Sequence, residues 1–168
     1  MTGLYNHSTT IELLRREVEH GKRYEFSTAV MMIDIDEFKS SNDNYGRPVG
    51  DKVFFAVSRT LTNGLRSADI VGRYGGDEFL IALSLADVTA AKGYGDRPLS
   101  RIRNIVIPQM GSHNVTVSLA ISILSASSED LSTAELIRRA DEAIYKSKRT
   151  GRDRPAVANP SLIVANEV

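Results

Sequence analysis

Two acidic pairs stand against apolar neighbours: Asp34 and Asp36 in "MMIDIDEF", and Asp77 and Glu78 in "YGGDEFLIAL". One closes an apolar run and the other opens one, so each sits where a strand leaves or enters a core. If the two strands are neighbours, several carboxylates meet at one sheet edge. Two like charges about 4 Å apart repel by roughly 4 kcal/mol at an effective dielectric of about 20. Such a cluster persists if some carboxyls protonate, if basic groups intervene, or if a divalent cation binds. With no cysteine and three scattered histidines, His7, His20 and His113, an oxygen-only donor set favours Mg²⁺ over zinc. Mg²⁺ takes few protein ligands and completes its shell with substrate phosphates, which points to nucleotide chemistry. Gly75 and Gly76 either permit a positive φ or let a phosphate approach the backbone closely. Taken singly, each acidic pair reads as solvated acids at a loop or turn, and the histidines read as surface residues. The co-occurrence of the pairs argues for a site.

The elements that must position these residues follow from periodicity. "STTIELLRREVEH" predicts a helix with Thr9 and Glu12 as a capping box and Ile11, Leu14 and Val18 on one face. "STAVMMIDID" predicts a buried strand ending near Asp34. A short helix is expected over "DEFKSSND". A longer one is expected over "VGDKVFFAVSRTLTNGL", with Gly64 as its stop. "ADIVGRY" and "EFLIALSL" predict a hairpin around the glycine pair. A helix is expected over part of residues 86–107, broken by "GYGDRP" as an inserted loop. "NVTVSLAISIL" predicts a strand, and "TAELIRRADEAIYKSKRT" a helix ending at Gly151. The last stretch, with Pro155 and Pro160, reads as a tail. This order is an α/β (α+β) sandwich with an antiparallel hairpin in its sheet.

Composition limits the rest. The 168 residues suit one domain, and 42% apolar with 25% charged residues suit a globular protein. No run reaches the ~18 apolar residues of a membrane span, and no secretory signal is visible. The absence of cysteine fits a reducing cytosol, so a cytoplasmic location is expected, with membrane anchoring through a further N-terminal part left open. Formal net charge is zero, so a general affinity for nucleic acid polymers is not expected. The chain starts almost inside its first motif, as a piece of something longer would.

At this point the residues carry a family. "GRYGGDEFLIAL" resembles the signature of GGDEF domains, the diguanylate cyclases that condense two GTP into cyclic di-GMP. "TGLYNH" resembles the family's opening turn and "DIDEFKSSNDNYGRPVGD" its first metal- and nucleotide-binding segment. "RRADEAIYKSKRTGRDR" resembles its closing helix and phosphate-binding end. The blocks follow the family's order over about residues 2–154. The resemblance implies a domain over 1–154, a poorly ordered tail at 155–168, and a palm-like sheet of about five mostly antiparallel strands flanked by helices. It also implies two Mg²⁺ ions, with Mn²⁺ able to substitute, acting across a homodimer in which each domain holds one GTP.

Carried over residue by residue, Asp34, the Ile35 carbonyl and Asp77 would ligate metal, and Asp77 and Glu78 would be catalytic. Phe38 and Lys39 would offer backbone N–H groups to phosphate, Asn42 and Asp51 would read guanine, and Lys148 and Arg152 would hold the terminal phosphates. "RSAD", with five residues between it and Gly75, resembles the family's inhibitory RxxD site, giving Arg66 and Asp69 with Arg101 as candidate partner for bound cyclic di-GMP. An upstream sensory or receiver domain is expected in the full-length protein. Departures are His7, Arg47, Ala120 and Pro155; none removes a metal ligand or guanine contact. Two functions stay open, an active cyclase and a non-catalytic receptor for GTP or cyclic di-GMP. The intact Asp34, Asp77 and Glu78 favour the enzyme, and a cyclase making a monocyclic product would not share the signature.

Overall fold

Strand β1 (Thr28–Ile35) is buried along its whole length, and this explains its continuous apolar sequence. A strand with helices on both faces has no solvent side on which to place alternating polar residues. The structure, a computed structural model, describes residues 3–125, 131–149 and 155–157. Around β1 run α1 (His7–Tyr24), α2 (Phe38–Tyr45), α3 (Arg47–Thr62), β2 (Ile70–Arg73), β3 (Glu78–Ser84), α4 (Val88–Arg103), β4 (Val117–Leu124), α5 (Thr133–Arg149) and β5 (Pro155–Val157). The sheet order is β2-β3-β1-β4-β5. Among the described residues, four strands, β2, β3, β1 and β4, pair antiparallel, and the three-residue β5 joins β4 in parallel as the short fifth strand. The segment read as a tail therefore begins with a strand at Pro155.

Two cores lie on opposite faces of the sheet, and alternation along each strand sorts the side chains. Met31, Ile33, Phe79, Ile81 and Leu119 pack with α3 and α4. Val30, Met32, Leu80, Ala82 and Ala120 pack with α1 and α5. Ala120, a departure from the family pattern, is thus an ordinary core residue.

Two local expectations are corrected. The α1 cap is Asn6, whose side chain accepts from Thr9 N–H at 2.9 Å. Thr9 and Glu12 are helical residues and form no capping box. The predicted break at "GYGDRP" is absent: α4 runs through it with Pro98 inside. Ala91, Gly95, Pro98, Leu99 and Ile102 are buried on one helical face, and Gly95 lets α4 come close to Leu119. That burial outweighs the hydrogen bond lost at proline. Helix α3 stops where expected, with Asn63 as its C-cap and Gly64 one residue beyond. Gly151 lies outside the described residues. Among the described residues no helix is long and apolar enough to cross a membrane.

Candidate active site

Asp34 and Glu78 face each other as register partners of β1 and β3. By strand alternation both side chains continue the parity of Met32 and Leu80, toward α5. Helix α5 answers with a cation: Lys148 Nζ lies 2.6 Å from Asp34 Oδ2. The other oxygen, Asp34 Oδ1, is buried with no hydrogen-bond partner among the described residues. Asp34 is 4% exposed, and burial pushes its carboxyl above the ordinary range, outweighing the downward pull of Lys148; Asp77 and Asp36 add to the rise. Glu78 is also raised, first by burial, then by Asp34, Asp141 and Asp77, with Lys148 opposing.

The hairpin tip is held by its own neighbours. Tyr74 and Gly75 N–H groups both donate to the Glu78 carbonyl, at 2.9 and 3.2 Å, and Ile35 N–H donates to the Asp77 carbonyl at 3.1 Å. Arg73 donates to the carbonyls of Gly75 and Gly76 at 3.1 and 2.6 Å, while its guanidinium lies 4.2 Å from the centroid of Phe54. Neither Gly75 nor Gly76 has a positive φ. At Gly75 the need for glycine is spatial instead. A Cβ on Gly75 would come within 2.2 Å of Glu78 Oε2 and 3.2 Å of its Cδ, whereas one on Gly76 would meet nothing within 4 Å. Gly75 accommodates Glu78, and Gly76 faces open space. The opening turn is tied to the same hairpin: Tyr5 N–H donates to Val71 O and Arg73 N–H to Tyr5 O. His7 packs its ring 5.0 Å from that of Tyr74.

Asp36 has a different task. Its carboxylate accepts from Thr116 Oγ1 and Ser118 Oγ, both at 2.8 Å, which binds the end of β1 to β4. Glu37 then takes φ 55° to start α2, whose N-terminus has no side-chain cap. The first N–H groups of α2, at Phe38 and Lys39, therefore form an anion-accepting terminus beside β1. Gly46 ends α2 and begins α3. At this junction Asn42 lies so close to Gly50 that a Cβ there would sit 1.9 Å from its Oδ1. The exposed Asp51 follows directly.

Among the described residues no three carboxylate or imidazole groups form a metal cluster on their own. The donors nonetheless fit a hard cation that draws much of its shell from a substrate: they are oxygens, and Asp34 Oδ1 is buried and unpartnered. Arg152 lies outside the described residues.

Away from this site, Arg66 and Asp69 close a turn in which Arg66 N–H donates to Asp69 Oδ2 at 2.7 Å. They line a cavity of about 190 Å³ with Leu85, Tyr94 and Arg97. Arg101 instead donates to the Asn63 carbonyl at 3.0 Å and lines a smaller neighbouring cleft, which Arg97 also borders. Sequence reading thus missed Arg97, although it lies one helical turn before Arg101. It also missed Asp141, which stands seven residues before Lys148 on α5 and raises Glu78; that spacing, two helical turns, was the available signal.

A family model described as diguanylate cyclase, GGDEF domain, matches residues 1–154. The chain belongs to the GGDEF family. This GGDEF domain is 34% identical over 158 residues to the probable diguanylate cyclase DgcC of Escherichia coli K12, covering 94% of the chain but only 42% of that relative's length. It is similar to the crystal structure of the diguanylate cyclase SiaD from Pseudomonas aeruginosa, solved with its activator SiaC: TM-score 0.85, 32% identity, covering 94% of this chain and 60% of the other. The GGDEF domain of DgcB from Caulobacter crescentus, solved with c-di-GMP, shares the fold at TM-score 0.87 and 24% identity, over 93% and 89% of the two chains.

Proposed function

We propose that this GGDEF domain is a diguanylate cyclase half-site that joins two GTP into cyclic di-GMP when two copies face each other. The observation that carries this reading is the buried Asp34 opposite Glu78, with one carboxylate oxygen on Lys148 and the other unpartnered. Asp34, the Ile35 carbonyl and Asp77 would hold Mg²⁺, two ions per site, which stabilise charge on the attacking and leaving oxygens when bound. The chain's own groups do the rest. Phe38 and Lys39 N–H groups receive phosphate oxygens at the α2 terminus, Lys148 and Arg152 balance the terminal phosphates, and Gly76 leaves the hairpin open to them. Asn42 and Asp51 hydrogen-bond the guanine edge. The 3′-oxygen of each GTP attacks the α-phosphorus of the other and gives up its proton to solvent, and the α–β phosphoanhydride bond breaks to release pyrophosphate. Because one domain holds one GTP, the rate per domain rises with protein concentration.

Regulation belongs to the same reading. Cyclic di-GMP bound at Arg66 and Asp69 inhibits, and the cavity lining supports Arg97 over Arg101 as their partner. A sensory or receiver domain in the full-length protein would set dimer geometry.

The test is incubation of product-stripped protein with GTP and Mg²⁺ over a range of protein concentrations, with nucleotides resolved by chromatography. Cyclic di-GMP is expected, and Asp77→Ala is expected to abolish it while the protein stays folded. Nucleotide binding without product at every concentration would leave only the receptor. Arg66→Ala and Arg97→Ala should each relieve inhibition by added product, and Arg101→Ala should relieve it less.

A further inference from the structure

We propose that Lys148 makes divalent-cation binding conditional on a nucleotide's phosphates, because it already occupies the carboxylate the cation needs. The inference rests on the nucleotide-site reading above. Lys148 comes from the last turn of α5 and Asp34 from the end of β1, so their contact joins two elements far apart in sequence. The ammonium is 2.6 Å from Asp34 Oδ2; the Asp34 side chain is 6% exposed and that of Lys148 33%. The lysine therefore stands between a buried carboxylate and solvent.

A metal ion arriving alone meets an ammonium bound to the same carboxylate. Two cations on one carboxylate repel, and they repel more strongly where water is scarce. The lysine head can move on its flexible four-carbon stem, but leaving Asp34 exchanges a 2.6 Å ion pair for the weaker pull of Glu78. A di- or triphosphate supplies that anion. Lys148 can then turn outward to the phosphate chain while Asp34 becomes available, so the two ligands favour each other. Linkage makes the effect reciprocal: phosphate assists metal, and metal assists phosphate. Lys148 also keeps Asp34 from standing as a bare buried charge when no nucleotide is present. The arrangement selects for ligands that bring phosphate and cation together. A nucleoside, which brings no phosphate, gives the ammonium no new partner.

The experiment measures Mn²⁺ alone. Free Mn²⁺ is followed by electron paramagnetic resonance during titration of nucleotide-stripped protein, with melting curves to establish that each variant is folded. Lys148→Met and Lys148→Gln are expected to tighten Mn²⁺ binding about tenfold or more, the scale on which one adjacent charge shifts an ionic equilibrium. Lys148→Arg keeps the cation and is expected to keep the weak wild-type affinity. Unchanged or weaker Mn²⁺ binding in both folded neutral variants overturns the inference. A separate calorimetric titration of wild type with a non-hydrolysable GTP analogue and Mg²⁺ isolates the underlying reading. Failure of that binding overturns the nucleotide site itself, and the inference with it.

Discussion

Gly50→Ala separates recognition from stability. A Cβ at position 50 would lie 1.9 Å from Asn42 Oδ1 and 2.8 Å from its Cγ. Restoring ordinary contact requires the amide to retreat by about 1.5 Å, beyond the narrow range over which a hydrogen bond keeps its strength. If Asn42 reads the base, one bond is lost and its partner on guanine is left unpaired, a cost of about 1–3 kcal/mol. That is roughly a 5- to 150-fold rise in Kd for a GTP analogue. The fold should barely register the change. Asn42 offers the free end of a short side chain, which can rotate, and alanine within α3 gains up to about 1 kcal/mol of helix propensity over glycine. Calorimetric titration with a non-hydrolysable GTP analogue, paired with a melting curve, reads both. Wild-type affinity in the variant would refute the role given to Asn42. A fall in melting temperature large enough to account for the lost binding would refute the separation.

Gly72→Ala tests the fold instead. Its Cβ would come within 1.7 Å of Thr10 Oγ1 and 2.8 Å of both Thr10 Cβ and Cγ2, and Thr10 is fully buried with its hydroxyl committed to the Asn6 carbonyl. Overpacking there should cost about 1–3 kcal/mol and lower the melting temperature by roughly 2–12 °C; an unchanged melt would contradict the packing of α1 on β2. The raised carboxyls give a pH prediction for protein kept in chelator. Folded Asp34 and Glu78 hold protons more tightly than the unfolded chain does. Their favourable contribution is therefore full below the ordinary carboxylate pKa of about 4 and is lost as pH rises through their raised values. Asp34→Asn should accordingly stabilise the protein at neutral pH, with the gain shrinking toward about pH 4. Denaturant titrations showing a less stable variant at neutral pH would mean that the Lys148 pair outweighs burial.

Residues with strong local patterns were legible without coordinates. The continuous apolar run of β1, the hairpin around Gly75 and Gly76, and the stripe of Leu136, Ile137, Ala140 and Ile144 on α5 each follow from spacing. So did the expectation that Asp34 and the Asp77–Glu78 pair would meet, because short connections favour neighbouring strands. Where two local signals compete, the sequence misleads. "GYGDRP" looks like a break, yet the buried face of α4 carries it through. Thr9 and Glu12 match a capping box, but Asn6, one residue before the helix starts, takes the cap.

Local pattern along the chain specifies the set of parts: a sheet-forming core, a signature hairpin bearing two acids, and basic residues at the end of the last helix. Their types and order are local properties, written in periodicity and turn chemistry. How they meet is a matter of long-range packing. It put Lys148 on one oxygen of Asp34 and left the other without a partner, turned Asp36 to Thr116 and Ser118, and gave the Arg66 cavity Arg97 in place of Arg101. It also divided the glycine pair, Gly75 making room for Glu78 and Gly76 opening to solvent. These outcomes depend on which face of one element packs on another. That choice is made by burial over the whole chain, to which each short stretch contributes only a small part.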